Sequence, residues 1–194
     1  MIMTTAMLLE QLKEYGDPFG KIRRLCREGR LFKLTKELYE TDGDRSGYLF
    51  ASVLYGPSYL SFDYALSYHG LIPEAVHEYT SATCGKGKKK FYSNHFGDYS
   101  YRDVPTAVFP LETTLMEESG YPYFLATPEK ALCDKLYTLP PAANQSELRD
   151  LLISDLRIDK RSLLNLQLHV MDSLAEVYKC KNVRTLAGVL RRMQ

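Results

Sequence analysis

The sequence predicts an α+β protein in two parts: a small N-terminal winged helix-turn-helix over residues 1–42, then a mixed, mainly antiparallel sheet domain with C-terminal helices over residues 47–194. Three observations predict it. Asp17-Pro18 and Thr127-Pro128 each start a helix, because the polar side chain accepts an orphan N–H of the first turn and proline is already bent for the next position. Between about residues 76 and 126 the helical period gives way to short alternating runs separated by Gly85-Lys86-Gly87, Gly97-Asp98 and Ser119-Gly120, which read as strands and turns. From residue 128 onward apolar side chains return to helical spacing.

Taken in order, Thr4 or Thr5 caps a first helix with an apolar stripe of Met7, Leu8, Leu12 and Tyr15, ended by Gly16. Asp17-Pro18 opens a second, burying Phe19, Ile22, Leu25 and Cys26. Arg30–Thr35 alternates as a strand and Leu38–Glu40 as its return. Helix, helix and hairpin outline the winged motif. Such a motif normally has three helices, so either a helix from elsewhere completes its core or the module is minimal. Lys21, Arg23, Arg24, Arg27, Arg30, Lys33 and Lys36 face one acid, Glu28, in the same stretch. Nucleic-acid phosphates are the natural partner for such a stripe, and a solvated charged face is the plain alternative. These seven are the candidate DNA-binding residues, with Arg24 and Arg27 in the groove and the others on phosphates.

Thr41–Ser46 is a polar, turn-rich linker and the best boundary, and Tyr48–Tyr55 reads as a helix ended by Gly56-Pro57. Tyr59–Glu74, YLSFDYALSYHGLIPE, opens as a short strand or turn. Ser61 then stands at a helix N-cap, Asp63 lies in the first turn, Phe62, Ala65, Leu66 and His69 share one side, and Gly70 stops the helix. Strands come next over Val76–Cys84, Phe91–Phe96, Tyr99–Val104, Val108–Met116 and Tyr121–Ala126, as a meander with a basic hairpin loop at Gly85–Lys90. Four helices close the chain: one from Pro128 to the Pro140-Pro141 stop, one capped by Ser146, one from Asp159 or Ser162 to Tyr178, and one capped by Asn182. Lys179, Lys181, Arg184, Arg191 and Arg192 make the last stretch basic, either as a second phosphate surface or as a cationic helix end favoured by its own dipole.

The 194 residues are 45% apolar, enough for a packed core, and the net charge of +1 hides an uneven distribution. No apolar run approaches the roughly 18 residues of a membrane span. The N-terminus lacks the basic start of a signal peptide, so a cytoplasmic location without membrane contact is expected. Cys26, Cys84, Cys133 and Cys180 form no C-x-x-C pair, and the four histidines form no close ligand pair, so neither a metal nor a cofactor is expected. Phosphate-binding glycine loops and the nucleophile elbow are missing, and no Asp or Glu has Lys two residues on, so the expectation is a protein that is not an enzyme. Glu129, Lys130 and Asp134 are the most suggestive polar set. An i,i+4 ion pair with a dipole partner is preferred to a catalytic pair. His69 reads as a hydrogen-bonded core histidine in preference to an acid–base group.

Tyr59–Glu74, succeeded at a distance by Ala126–Asp134 (ATPEKALCD) and preceded by a basic N-terminal segment, resembles the AbiEi family of antitoxins from type IV toxin–antitoxin (abortive phage infection) systems. The resemblance covers most of residues 1–140. It implies a head that binds inverted repeats in double-stranded DNA of its own promoter and represses the operon. It also implies a body that counters a nucleotidyltransferase toxin encoded beside it, without needing a stable complex. Ser61, Tyr64, Tyr68, His69, Glu129, Lys130 and Asp134 would then contribute to the antitoxin surface. Where the family tends to carry glycine in the wing turn, this chain has Glu37. A kinase-like enzyme that modifies the toxin, and a plain protein-interaction module, are the two alternatives.

Overall fold

The structure, a computed structural model, describes residues 1–193. Strand β1 (Ile2–Thr4), helices α1 (Thr5–Gln11) and α2 (Pro18–Arg27), and the hairpin β2 (Phe32–Lys33) and β3 (Leu38–Glu40) make up the head. Its antiparallel sheet runs β1-β3-β2. Both N-caps form as the side chains dictate: Thr4 Oγ1 accepts from Met7 N at 3.2 Å, and Asp17 Oδ1 from Gly20 N at 2.8 Å. The unit holds two helices, and β1 adds a third strand to the hairpin by pairing with β3. Met3 on β1 is buried with Leu8, Ile22, Leu31 and Tyr39 in a small core of its own. Phe19 is exposed and does not belong to the buried face of α2, which is Ile22 flanked by the half-buried Leu25 and Cys26.

The body begins with a 3-10 turn, Gly47–Phe50, leading into α3 (Ala51–Leu54). Then come β4 (Tyr59–Leu60), α4 (Phe62–Tyr68), β5 (Tyr79–Thr83), β6 (Lys90–Asn94), β7 (Gly97–Asp103), β8 (Thr113–Glu118) and β9 (Tyr121–Ala126). The six strands run β6-β7-β5-β4-β9-β8, so the sheet is not the meander that the sequence suggests. β5 pairs with β7, and β4 with β9, in parallel, and the other three pairings are antiparallel. Two-residue β4 joins the two halves of the sheet. Val108–Leu111 is a turn and not a strand: Val108 N and Leu111 N donate to Pro105 O and Val108 O. Tyr99 and Tyr101 bond to the carbonyls of Gly47 and Ala51 on one side of the sheet, at 2.9 and 2.7 Å.

Tyr59 meets α5 (Pro128–Tyr137), the first of the C-terminal helices. After it come α6 (Gln145–Asp150), a π-helical turn (Leu151–Asp155), α7 (Lys160–Leu164), α8 (Leu168–Tyr178) and α9 (Lys181–Met193). Three expectations change here. Asn144, not Ser146, caps α6. The helix expected to reach Tyr178 unbroken is interrupted between Leu164 and Leu168. Asn182 sits buried inside α9, where it accepts from Ala142 N at 2.8 Å and donates to Pro140 O at 2.9 Å, tying α9 to the segment after α5.

Head and body touch across the expected linker. Leu34 is buried in the large core, and the Phe32 ring lies 4.5 Å from His95. Asn94 Nδ2 donates to Leu34 O at 3.3 Å. The buried Glu40 accepts from Tyr121 OH at 2.8 Å, from the amides of Thr41 and Asp42, and from the ammonium of Met1.

Candidate functional site

Two polar assemblies stand out, one on the head's exterior and one sealed inside the body. In the head, Ile22 turns inward, so the spacing of 3.6 residues per turn sends Arg23, Arg24 and Arg27 out into solvent. Arg30, Lys33 and Lys36 are exposed as well, and Lys21 is half-buried with its ammonium 4.9 Å from the Tyr15 ring centre. The acids nearby hold these charges loosely: Arg23 is 3.8 Å from Asp17 and Arg24 is 3.6 Å from Glu28. Exposed pairs of this kind are worth at most about 1 kcal/mol and exchange readily for a stronger anion. Six of the seven expected bases are thus exposed on one small unit, and Lys21 is half-buried beside them. Glu37, in the β2–β3 turn, does not adopt a positive φ, and its carbonyl accepts Thr5 N at 2.9 Å, pinning the turn to the start of α1.

In the body, the two distant sequence stretches interlock. The Asp134 carboxylate accepts Tyr59 OH (2.9 Å) and Ser61 OH (2.6 Å) on one oxygen and Tyr178 OH on the other. Lys130 Nζ lies 3.4 Å from Asp134 and donates to Val108 O at 2.8 Å and Tyr178 OH at 2.7 Å. The ammonium thus has a partner for each of its protons. Burial pushes the Asp134 carboxyl up and the Lys130 ammonium down, each resisted by the other's charge. Burial, reinforced by the charge of Asp134, pushes the Tyr59 and Tyr178 phenols far up, so both remain donors.

Ser61 occupies the N-cap position of α4 but does not cap it. Its hydroxyl is oriented toward Asp134, to which it donates at 2.6 Å, and its oxygen accepts no amide of the first turn. Thr80 takes over, accepting from Tyr64 N at 3.0 Å and donating to Ser61 O at 2.6 Å. Between them Phe62 adopts φ 53°, a left-handed conformation that costs a bulky residue about 1–3 kcal/mol. It is held from both sides: Ser61 is bonded to Asp134, and Asp63 pairs with Lys135 at 2.6 Å. His69 Nε2 lies 2.8 Å from Ala126 O, so it has the hydrogen bond expected of it but is half-buried and not a core residue. Glu129 serves the N-terminus of α8, accepting Gln167 N at 2.9 Å.

This geometry corrects the expected antitoxin surface. Ser61, Glu129, Lys130 and Asp134 are buried and present no surface, Tyr64 and His69 are half-buried, and Tyr68 alone is exposed. Each of the four buried side chains has an internal partner, which is what allows burial at all. Sequence reasoning misses two members of the network. Tyr59 lies within YLSFDYALSYHGLIPE, where no local signal separates it from Tyr64 and Tyr68, and Tyr178 comes from a helix on which nothing singles it out. In the basic C-terminal stretch, Lys181 donates to Ala143 O at 3.0 Å and Arg191 pairs with Asp172 at 2.6 Å, so part of that charge is answered internally.

Among the described residues no group of histidine, cysteine or acidic side chains is arranged to hold a metal ion, and no helix is long and apolar enough to cross a membrane. A comparison with protein families gives no match for this chain, and no curated protein matches it.

Proposed function

We propose that the chain is a DNA-binding transcriptional autoregulator and an antitoxin that counters a nucleotidyltransferase toxin. The observation that carries the DNA half is the exposure of six of the seven bases, with Lys21 half-buried among them, on α2, the turn after it and the β2–β3 hairpin of a strand–helix–helix–hairpin unit. Arg24 and Arg27 read base edges in the groove, and Lys21, Arg23, Arg30, Lys33 and Lys36 hold phosphates, which position the protein without specifying sequence.

The antitoxin half rests on the two stretches that resemble the AbiEi family. Their support from the fold is indirect: residues far apart in sequence are joined by the Tyr59, Ser61 and His69 hydrogen bonds and by the Asp63–Lys135 pair. In this reading the stretches are a folding signature and not the neutralising surface. Lys130 and Asp134 are buried and fully partnered, which supports a structural role for this pair over a catalytic one.

The test is a gel shift on duplex from the chain's own promoter. Arg24→Ala/Arg27→Ala weakens binding strongly, and unchanged affinity rejects the assignment. Incubating the protein with the neighbouring toxin and ATP, then weighing the toxin by mass spectrometry, separates this reading from the kinase-like alternative, which requires a mass shift.

A further inference from the structure

Resting on the DNA-binding reading, we infer that the Gly85–Lys90 loop at the far end of β6 is a second phosphate-contacting element, engaging the same double-stranded DNA as the head. Lys86, Lys88, Lys89 and Lys90 lie in a stretch with no acidic residue between Glu78 and Asp98. The loop is a built turn. Gly85 and Gly87 adopt φ 67° and 68°, which glycine alone tolerates easily. Asp103 fixes them, accepting the amides of Lys86 and Gly87 at 2.7 Å and the Thr83 hydroxyl at 2.6 Å. That pairing occupies the Asp103 carboxylate with backbone and hydroxyl donors. Lys88 and Lys89 stay exposed at the tip. Lys86 and Lys90 are steadied over the rings of Tyr55 and Tyr92, at 5.1 and 5.2 Å.

The strand links this loop to the head. Side chains two residues apart share a strand face, so Lys90, Tyr92 and Asn94 point the same way. Asn94 is the residue that bonds to Leu34 O in the head's hairpin, between Lys33 and Lys36. Lys90 therefore lies on the side where the head sits. The four steps from Lys90 to Asn94 span roughly 14 Å at about 3.4 Å per residue. That distance is about four phosphate steps along one DNA strand. A duplex held by the hairpin lysines and lying along β6 would reach the loop. Guarding the exposed edge of β6 against pairing with another chain is the competing use of lysines here, and it needs only charge of either sign.

The discriminating measurement is fluorescence anisotropy on a mixed-sequence duplex of roughly three helical turns, across about 50–200 mM KCl. For Lys88→Glu/Lys89→Glu, the slope of log affinity against log salt should become shallower by about two or more, at about 0.9 per lost phosphate contact. Edge protection and melting temperature should be retained, since both positions are exposed and stay charged. Lys88→Arg/Lys89→Arg should keep the wild-type slope. Wild-type affinity and slope in the glutamate variant, alongside lost binding in Arg24→Ala/Arg27→Ala, overturns the loop contact and leaves the head reading standing. Equal weakening by the arginine variant also overturns it, since shape and not charge would then be at work. A wild-type protein that binds no duplex removes both.

Discussion

The head and the body handle charge in opposite ways. Arg24 and Arg27 stand in water with loose or no partners, whereas Lys130 and Asp134 are sealed from water and answered on every side. The residue types are nearly the same, and the environment decides their use. A charge that keeps its hydration can be lent to a ligand. A charge that has lost its hydration must keep its internal partners, because leaving it alone is far more costly than never having had it.

The largest effect expected from this contrast is in the body. Asp134→Ala strands the Lys130 ammonium and should cost about 3–5 kcal/mol of stability or prevent folding. Lys130→Met combined with Asp134→Leu should cost less than the sum of the single changes in urea denaturation, and simple additivity would break the comparison. Next comes the head. Arg24→Ala/Arg27→Ala should lose about 1–3 kcal/mol of DNA binding per lost bidentate contact while the melting temperature stays put. A falling melting temperature would mean that these arginines are structural after all. Ser61→Ala, which removes a donor to a buried carboxylate, should cost about 1.5–3 kcal/mol.

The smallest expected effect is at the junction. Burial alone would raise the Glu40 carboxyl, but hydrogen bonds from the Met1 ammonium, Tyr121 and the amides of Asp42 and Thr41 outweigh it and hold the group below its ordinary range. With the folded pKa depressed, the unfolded chain takes up the proton first. The stability Glu40 contributes is therefore present above about pH 4.3, the ordinary glutamate value, and is lost as pH falls through the lower folded value. The drop in urea midpoint between about pH 6 and about pH 3 should be larger for wild type than for Glu40→Gln. Equal drops would place Glu40 with the exposed acids.

The sequence made most elements legible where a local device sets them. The Asp17 and Thr127 caps, the β9 run Tyr121–Ala126 and the mixed α+β class came from short-range chemistry. The hidden features depend on partners distant in the chain. β1 is too short to show alternation, and its pairing with β3 is decided by residues almost forty positions on. Strand order is not written in any one strand, so the parallel β4–β9 and β5–β7 pairings were invisible. Ser61 and Asn182 both carry the chemistry of a cap, and both are engaged by partners that only the tertiary fold supplies. The i,i+4 ion pair of Lys130 and Asp134 was readable, but its complete burial was not, since the covering Tyr178 arrives from the other end of the body.

Tyr178 also limits how this protein can be dissected. Deletion mapping would naturally stop after the second recognisable stretch, near residue 140, and treat the last helices as dispensable. A fragment cut there would lack the phenol that bridges ammonium and carboxylate, and its inactivity would report a collapsed interior, not a missing binding determinant.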